Sequence, residues 1–296
     1  MKKLIIYIGV ILLSWLSCDK IEAPYTTGMI AAEKTILIEK FTAHECQNCP
    51  EASRIIEDEL KPTFVNSNDI SKSAIIAVAL HPGQSNLTNT SDNYDYNFTT
   101  ESSNQIADYF GIHLATALPK GGVNRIEQGN SNRLWNRDKW SELVENQLLD
   151  ANSNPIEKNI DITINTSLNT TNKTLVVSSI INVLNNLEGN YYLALFIMED
   201  SIIAPQKDGL ERIENYRHDH VYRCAINEWN GEPINTDLQQ GTEWSTDQKT
   251  IVFNTEYNNN WTDEWNNINN CHVVGYIYNA ETGIIEEAAQ KPVYNE

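Results

Sequence analysis

The chain reads as an α/β domain followed by an all-β, sandwich-like one, and three observations predict this. A strand, a helix and a wholly apolar second strand succeed one another between Thr35 and Leu80. From Asn159 onward the pattern switches to the two-residue period of half-buried strands, with no strong helical period. The polar stretch Asn152–Pro155 separates the two regimes. At 296 residues there is enough chain for a core in each.

The elements follow in order. "MKKLIIYIGVILLSWLSCDK" sets two lysines before an apolar run, Leu4 to Leu13, then small residues leading to Cys18. That is a secretory signal too short to span a bilayer comfortably. Cysteine after Leu16-Ser17 resembles a bacterial lipoprotein cleavage site, with residues 1–17 removed and Cys18 carrying the lipid. Several acyl chains on one residue give the stable anchoring that a single chain does not. Residues 18–33 are a polar tether, 34–153 the first domain and 154–296 the second.

"TILIEKFT" (Thr35 to Thr42) is a strand. Cys49, Ala52, Ile56 and Leu60 recur at helical spacing up to Lys61-Pro62, and Pro50 is tolerable in a first turn. "AIIAVAL" (Ala74 to Leu80) is a strand buried on both faces, so the three form a βαβ unit with parallel strands. After a polar loop come a short helix in "NQIADYFGI", a strand after Pro119, and an amphipathic helix in "WNRDKWSELVENQLL" with Trp140, Val144 and Leu148 on its stripe. "NIDITIN", "TLVVSSIINVL", "YYLALFIMED", "KTIVFNTEY" and "HVVGYIYNA" are strands, with "HVYRCAI" and "GIIEEAA" as weaker ones, joined by Asn- and Gly-rich turns.

A formal charge of −19 repels phosphate backbones, and no basic stripe offsets it, so nucleic acid is excluded as a partner. Export places the cysteines in an oxidising compartment. Five less Cys18 leaves four: Cys46 with Cys49, and Cys224 with Cys271. The second pair reads as a structural disulfide; a bridge closing its 47-residue separation would stabilise by about 4 kcal/mol on the chain-entropy estimate.

The close pair, in "FTAHECQNCPEAS", falls just past a strand's carboxyl end and at the start of a helix, where βαβ units carry their chemistry. Unpaired backbone N–H groups there favour a thiolate at Cys46, which could attack a disulfide while Cys49 resolves the intermediate. The same spacing also suits a static disulfide, or half of a metal site completed by His44 or His81. Each histidine is equally a hydrogen-bonded neighbour of the site, and neither metal nor cofactor is assigned. "RHDH" (Arg217 to His220) sets two histidines on one face of a strand, and Trp261 and Trp265 stand in a polar stretch suited to partner contact or to covering a sandwich end.

Between Thr35 and Asp150 this arrangement resembles the thioredoxin fold: CxxC between strand and helix, a buried strand, and Leu118-Pro119 before another strand. The resemblance implies a cis Pro119 that faces the CxxC and positions a substrate backbone. More narrowly, "LIEKFTAHECQNCPEA", "AVALHPG", "ALPKGGVNR" and "YRHDHVYR" look like the Bacteroidetes outer-membrane lipoproteins typified by a twenty-eight-kilodalton protein. That family joins a thioredoxin-like domain to a β-rich one, so an α/β thioredoxin-like N-terminal domain with an all-β sandwich-like C-terminal domain is expected. Two positions depart from the thioredoxin pattern. The relay carboxylate six residues before the first cysteine is replaced by Lys40, beside Glu39, and the preceding tryptophan by Glu45, whose charge opposes a thiolate.

The functional expectation is a lipid-anchored envelope protein exchanging thiols and disulfides with exported proteins, through Cys46, Cys49 and Pro119. The alternative is a non-enzymatic binding lipoprotein of the outer membrane or surface, in which the CxxC is a staple and an envelope protein is the partner.

Overall fold

A computed structural model describes residues 28–234, 238–253 and 267–294. The signal segment, Cys18, Trp261 and Trp265 lie outside the described residues. The two strands of the expected βαβ unit are β2 (Ile36–Phe41) and β5 (Ile75–Leu80), every residue of both buried. They pair in parallel, Ile36 opposite Ile75 through Phe41 opposite Leu80. Between them runs α1, starting at Cys49–Arg54, winding with π-type turns through Ile55–Leu60 and ending at Lys61–Thr63. Ala52, Ile56 and Leu60 are its buried stripe, as the spacing requires.

Short strands β1 (Ile30–Ala32), β3 (Phe64–Asn66) and β4 (Asp69–Ser73) make a small separate sheet. β6 (Lys120–Val123) pairs antiparallel with β2, after α2 (Glu101–Tyr109) and before α3 (Trp140–Leu148). Two glycines let β6 fit between these helices. A Cβ on Gly121 would stand 2.7 Å from the Trp140 ring, and one on Gly122 2.7 Å from the Phe110 ring. The α3 stripe is the expected one: Trp140, Val144 and Leu148 are all fully buried.

The principal sheet does not stop at the end of the first half. Its order runs β17 (Ile285–Pro292), β16 (Cys271–Asn279), β9 (Tyr191–Glu199), β12 (Val221–Ala225), β5, β2, β6, with β13 (Glu232–Pro233) also on β9. The join is the parallel contact of β12 with β5, Val221 opposite Ala79. A second sheet, β7 (Ile160–Asn169), β8 (Thr174–Val183), β14 (Glu243–Ser245) and β15 (Lys249–Val252), shares an apolar core with β9 and β16. This is the β-rich, sandwich-like region, and strands from both sides of residue 154 meet in one sheet.

Alternation along β9 shows how one sheet serves two cores. Leu193, Leu195 and Ile197 face the second sheet, while Ala194, Phe196 and Met198 join the core that also holds Leu37, Phe41, Ile106 and Tyr276. A third core, under α1 and α3, takes the other face of β2 and β5. The remaining two strands, β10 (Ile202–Asp208) and β11 (Glu211–His218), form a hairpin of their own.

Candidate functional site

β2 ends at Phe41, and the chain turns through Ala43 to Asn48 before α1 begins. The turn is held by Cys46 N–H donating to Ala43 O (3.1 Å) and Cys49 N–H to Cys46 O (3.2 Å). A disulfide joins Cys46 and Cys49 across it. Pro119, on the cis Leu118–Pro119 bond that the resemblance implies, directly precedes β6. Since Phe41 pairs with Lys120, Pro119 stands beside the carboxyl end of β2, where the chain leaves toward the disulfide.

Sequence reasoning asks for an exposed Cys46, and the structure differs. Cys46 is only 3 % exposed and Cys49 1 %. The cover is the β10–β11 hairpin. Lys207 N–H donates to His44 O (2.8 Å), and Gly209 N–H to Gln47 O (2.9 Å). The buried Gln206 side chain donates to Ala43 O (3.2 Å) and Cys46 O (3.3 Å). Arg54 on α1 grips Asp208 with both guanidinium arms, 2.9 and 3.3 Å. On the other side, Glu45 N–H donates to Leu87 O (3.1 Å), and His44 Nε2 lies 3.0 Å from Asn89 O.

Behind Cys49 lies a cavity of about 140 Å³. Lys40, Ser53, His81, Tyr216 and His218 are among its walls. Lys40 is buried, donates to Ser53 Oγ (2.6 Å), and has no carboxylate within ion-pair distance among the described residues. Burial, offset in part by Glu57, brings its pKa down to about 8. His81 and His218 lean on Phe98, with ring centroids 4.4 and 4.6 Å from it. Neither ring nitrogen of His81, nor Nε2 of His218, has a hydrogen-bond partner among the described residues. Burial holds His218 at about 3 and pushes His81 and His44 down as well, so all three imidazoles are neutral at pH 7. The cavity behind the disulfide thus holds two neutral imidazoles, His81 and His218, together with the Lys40 amine and the acid-paired His220. Among the described residues, no three His, Cys, Asp or Glu side chains are grouped to hold a metal ion.

Glu39 is elsewhere. It faces the opposite side of β2 from Lys40 and forms a buried pair with Arg125, at 2.7 and 2.8 Å. Arg125 also donates to Tyr276 Oη (2.7 Å) and stacks on Tyr109 and Tyr276. Of the two neighbouring charges singled out in the sequence, only Lys40 is on the disulfide side.

Two expectations are corrected. Cys224 and Cys271 are both buried and are not bridged to each other. Their strands, β12 and β16, flank β9 on opposite sides, Cys224 opposite Ile197 and Cys271 opposite Glu199. Two strand spacings of about 4.8 Å separate their backbones by roughly 10 Å, beyond the roughly 7 Å that a disulfide spans. Cys271 Sγ instead donates to Asn267 O (3.6 Å), and burial raises its pKa well above the usual thiol value.

"RHDH" is likewise not one strand face. β11 ends at His218, and His220 adopts a left-handed φ of 62° before β12. Both histidines line the cavity, but His220 also sits between Asp200 Oδ1 (2.9 Å) and Glu57 Oε1 (3.0 Å), which His218 does not reach. Burial opposes the His220 charge, but hydrogen bonds to the Asp200 and Glu57 carboxylates outweigh it and raise the pKa.

The hairpin itself is absent from the sequence reading, although its signal is present. Gly209-Leu210 is a two-residue hairpin loop with glycine first, Asp208 standing opposite Glu211 and Gly209 at φ 60°. Pro205 argues against a strand there, and a bulge between Ala204 and Gln206 accommodates it.

Comparison with known proteins adds the following. The family described as outer membrane protein Omp28 matches residues 103–295, well over half of the chain, in a span that begins after the CxxC. HBP35 of Porphyromonas gingivalis aligns with a TM-score of 0.60 at 14% identity, covering 89% of this chain and 76% of that one. A domain of the outer membrane lipoprotein Omp28 from Porphyromonas gingivalis aligns with a TM-score of 0.29 at 14% identity, covering 46% of this chain and 88% of that one. The first likeness is one of fold. No curated protein matches the chain.

Proposed function

The chain belongs to the Omp28 outer membrane protein family, and from that premise we propose that it is a lipid-anchored cell-envelope protein whose Cys46–Cys49 pair exchanges disulfides with exported proteins. The family supports the envelope location. The N-terminal signal and Cys18 support the lipid anchor, probing either the periplasm or the surface. One observation carries the exchange reading. The disulfide sits at the strand-to-helix turn of a βαβ unit, with cis Pro119 at the same strand end and a polar cavity directly behind Cys49. That combination supports the thioredoxin-like reading, with the neutral imidazoles of His81 and His218 in the cavity beside the resolving thiol. No cofactor is required, since the electrons pass between sulfurs. The strongly acidic chain keeps nucleic acid outside the partner set.

A second reading is favoured by the burial of Cys46. A disulfide enclosed on both sides suits a static staple in a non-enzymatic binding lipoprotein. The reduction potential separates the two. The mature protein is equilibrated in graded thiol/disulfide buffers, alkylated, and read by mass spectrometry at Cys46 and Cys49. A value between about −120 and −270 mV supports exchange, and one below about −300 mV identifies a structural disulfide.

A further inference from the structure

The end of β10 and the turn after it contact the CxxC turn through backbone hydrogen bonds. Lys207, near the end of β10, and Gly209, in the turn that follows, give their N–H groups to the carbonyls of His44 and Gln47. Asp208 between them places its carboxylate on Arg54. None of these contacts belongs to a sheet of the core, because β10 and β11 pair only with each other.

The hairpin is also unevenly fastened. Its base packs Ile202, Ala204 and Val221 around Phe98, and is tied by His220 and Ser201 N–H groups donating to Asp200 and Asp219 (2.6 and 2.9 Å). Its tip is solvated, with Leu210 96 % exposed, and is fastened by backbone hydrogen bonds and the partly exposed Arg54–Asp208 pair. Ser201 and His220, where the two strands leave the core, both hold left-handed φ angles of 62°. A unit held by apolar contacts at its base and by replaceable polar contacts at its tip can peel from the tip.

We propose that the carbonyl edge of His44, Cys46 and Gln47, with Arg54 beside it, is a docking edge for a polypeptide segment bearing a carboxylate, and that the β10–β11 hairpin occupies this edge in the closed protein. A partner segment binds by replacing Lys207–Gly209, repeating the same hydrogen bonds and the same ion pair, and its arrival uncovers Cys46. The incoming segment thereby restores what the departing one gave up. This rests on the exchange reading only for its purpose; the edge itself is independent of the sulfur chemistry.

The test uses the full mature protein and dithiothreitol as a small reductant, with alkylation and mass spectrometry following Cys46. Lys207→Pro removes one donated N–H, and reduction should speed up roughly tenfold, the effect of one or two lost hydrogen bonds on an opening equilibrium. Arg54→Glu, which leaves the backbone untouched, should act in the same direction, and Arg54→Glu combined with Asp208→Arg should return the rate toward wild type. A synthetic peptide of Ile203–Leu210, by taking the hairpin's place, should speed reduction of the wild-type protein, and the same peptide with Asp208→Lys should not. Equal rates in wild type and both single variants overturn the proposal, as does a native-sequence peptide that leaves the wild-type rate unchanged or lowers it. A reduction potential below the exchange range would remove the thiol-exchange function while leaving these outcomes intact.

Discussion

Replacing Lys40 by methionine should make the protein more stable, not less. An amine with an ordinary value of 10.5 that titrates at about 8 in the folded protein, chiefly through burial, disfavours folding by about 3 kcal/mol at neutral pH. Methionine keeps the aliphatic stem and gives up the Ser53 hydrogen bond, for a loss of about 1 kcal/mol. The net expectation is a gain of about 2 kcal/mol at pH 7. Its pH dependence has a fixed sign. Below pH 8 both folded and unfolded chains carry the proton and the full penalty applies. Between about 8 and 10.5 the unfolded chain holds more protons, so wild-type stability rises with pH and the advantage of Lys40→Met disappears. Urea denaturation of both proteins from pH 7 to pH 11, compared pairwise so that other titrations cancel, measures this directly. A variant no more stable than wild type at pH 7, or an advantage that does not change with pH, would refute the reasoning. A positive result would identify Lys40 as a residue kept at a cost to stability, as site residues commonly are.

Three further outcomes follow from the packing. Arg125→Met should destabilise by about 3–5 kcal/mol in urea titration, since it strands the Glu39 carboxylate among apolar side chains; adding Glu39→Leu should recover much of the loss. Gly121→Ala forces a methyl against the fully buried Trp140 ring and should cost about 1–3 kcal/mol, read as a lower Tm and an altered tryptophan fluorescence. Glu287, raised to about 8 chiefly by burial, keeps its proton in the folded state after the unfolded chain has lost it near 4.5. Stability should therefore decline as pH rises from about 4.5 to 8, and Glu287→Gln should flatten that slope in denaturation at successive pH values.

Much of the fold is legible in the sequence because it rests on period. The fully apolar "AIIAVAL", the Trp140–Val144–Leu148 stripe and the alternation of Ile160, Ile162 and Ile164 each name an element and its buried face. The close cysteine pair and Pro119 are legible from local spacing. What period cannot supply is which strand lies beside which. β12 could be recognised as a strand, but not as the neighbour of both β9 and β5, and that placement joins the halves into one sheet. The same gap defeats the Cys224–Cys271 pairing, where even parity of cysteines says nothing about an intervening strand. The site was half visible for a related reason. Lys40, His44 and His81 lie near the CxxC in sequence or on its βαβ unit, whereas Gln206 and His218 arrive from more than 150 residues away, on a hairpin whose Pro205 hides its first strand.

The shared sheet has a consequence for the order of events during synthesis and export. The residues that enclose Cys46, Lys207 and Gly209 among them, emerge long after the cysteine pair, on a hairpin that leads into β12 beside β5. Cys46 and Cys49 therefore pass through a period of open access to the oxidants of the envelope, which ends when the C-terminal half folds. Whatever redox state the pair holds at that moment is enclosed with it. A chain cut near residue 153 would never complete the enclosure: it would lack the wall that carries His218 and would leave the outer edge of β5 without its neighbour. The sulfur chemistry of the nascent chain and that of the finished protein are thus separated by a folding step, not by a change of residues.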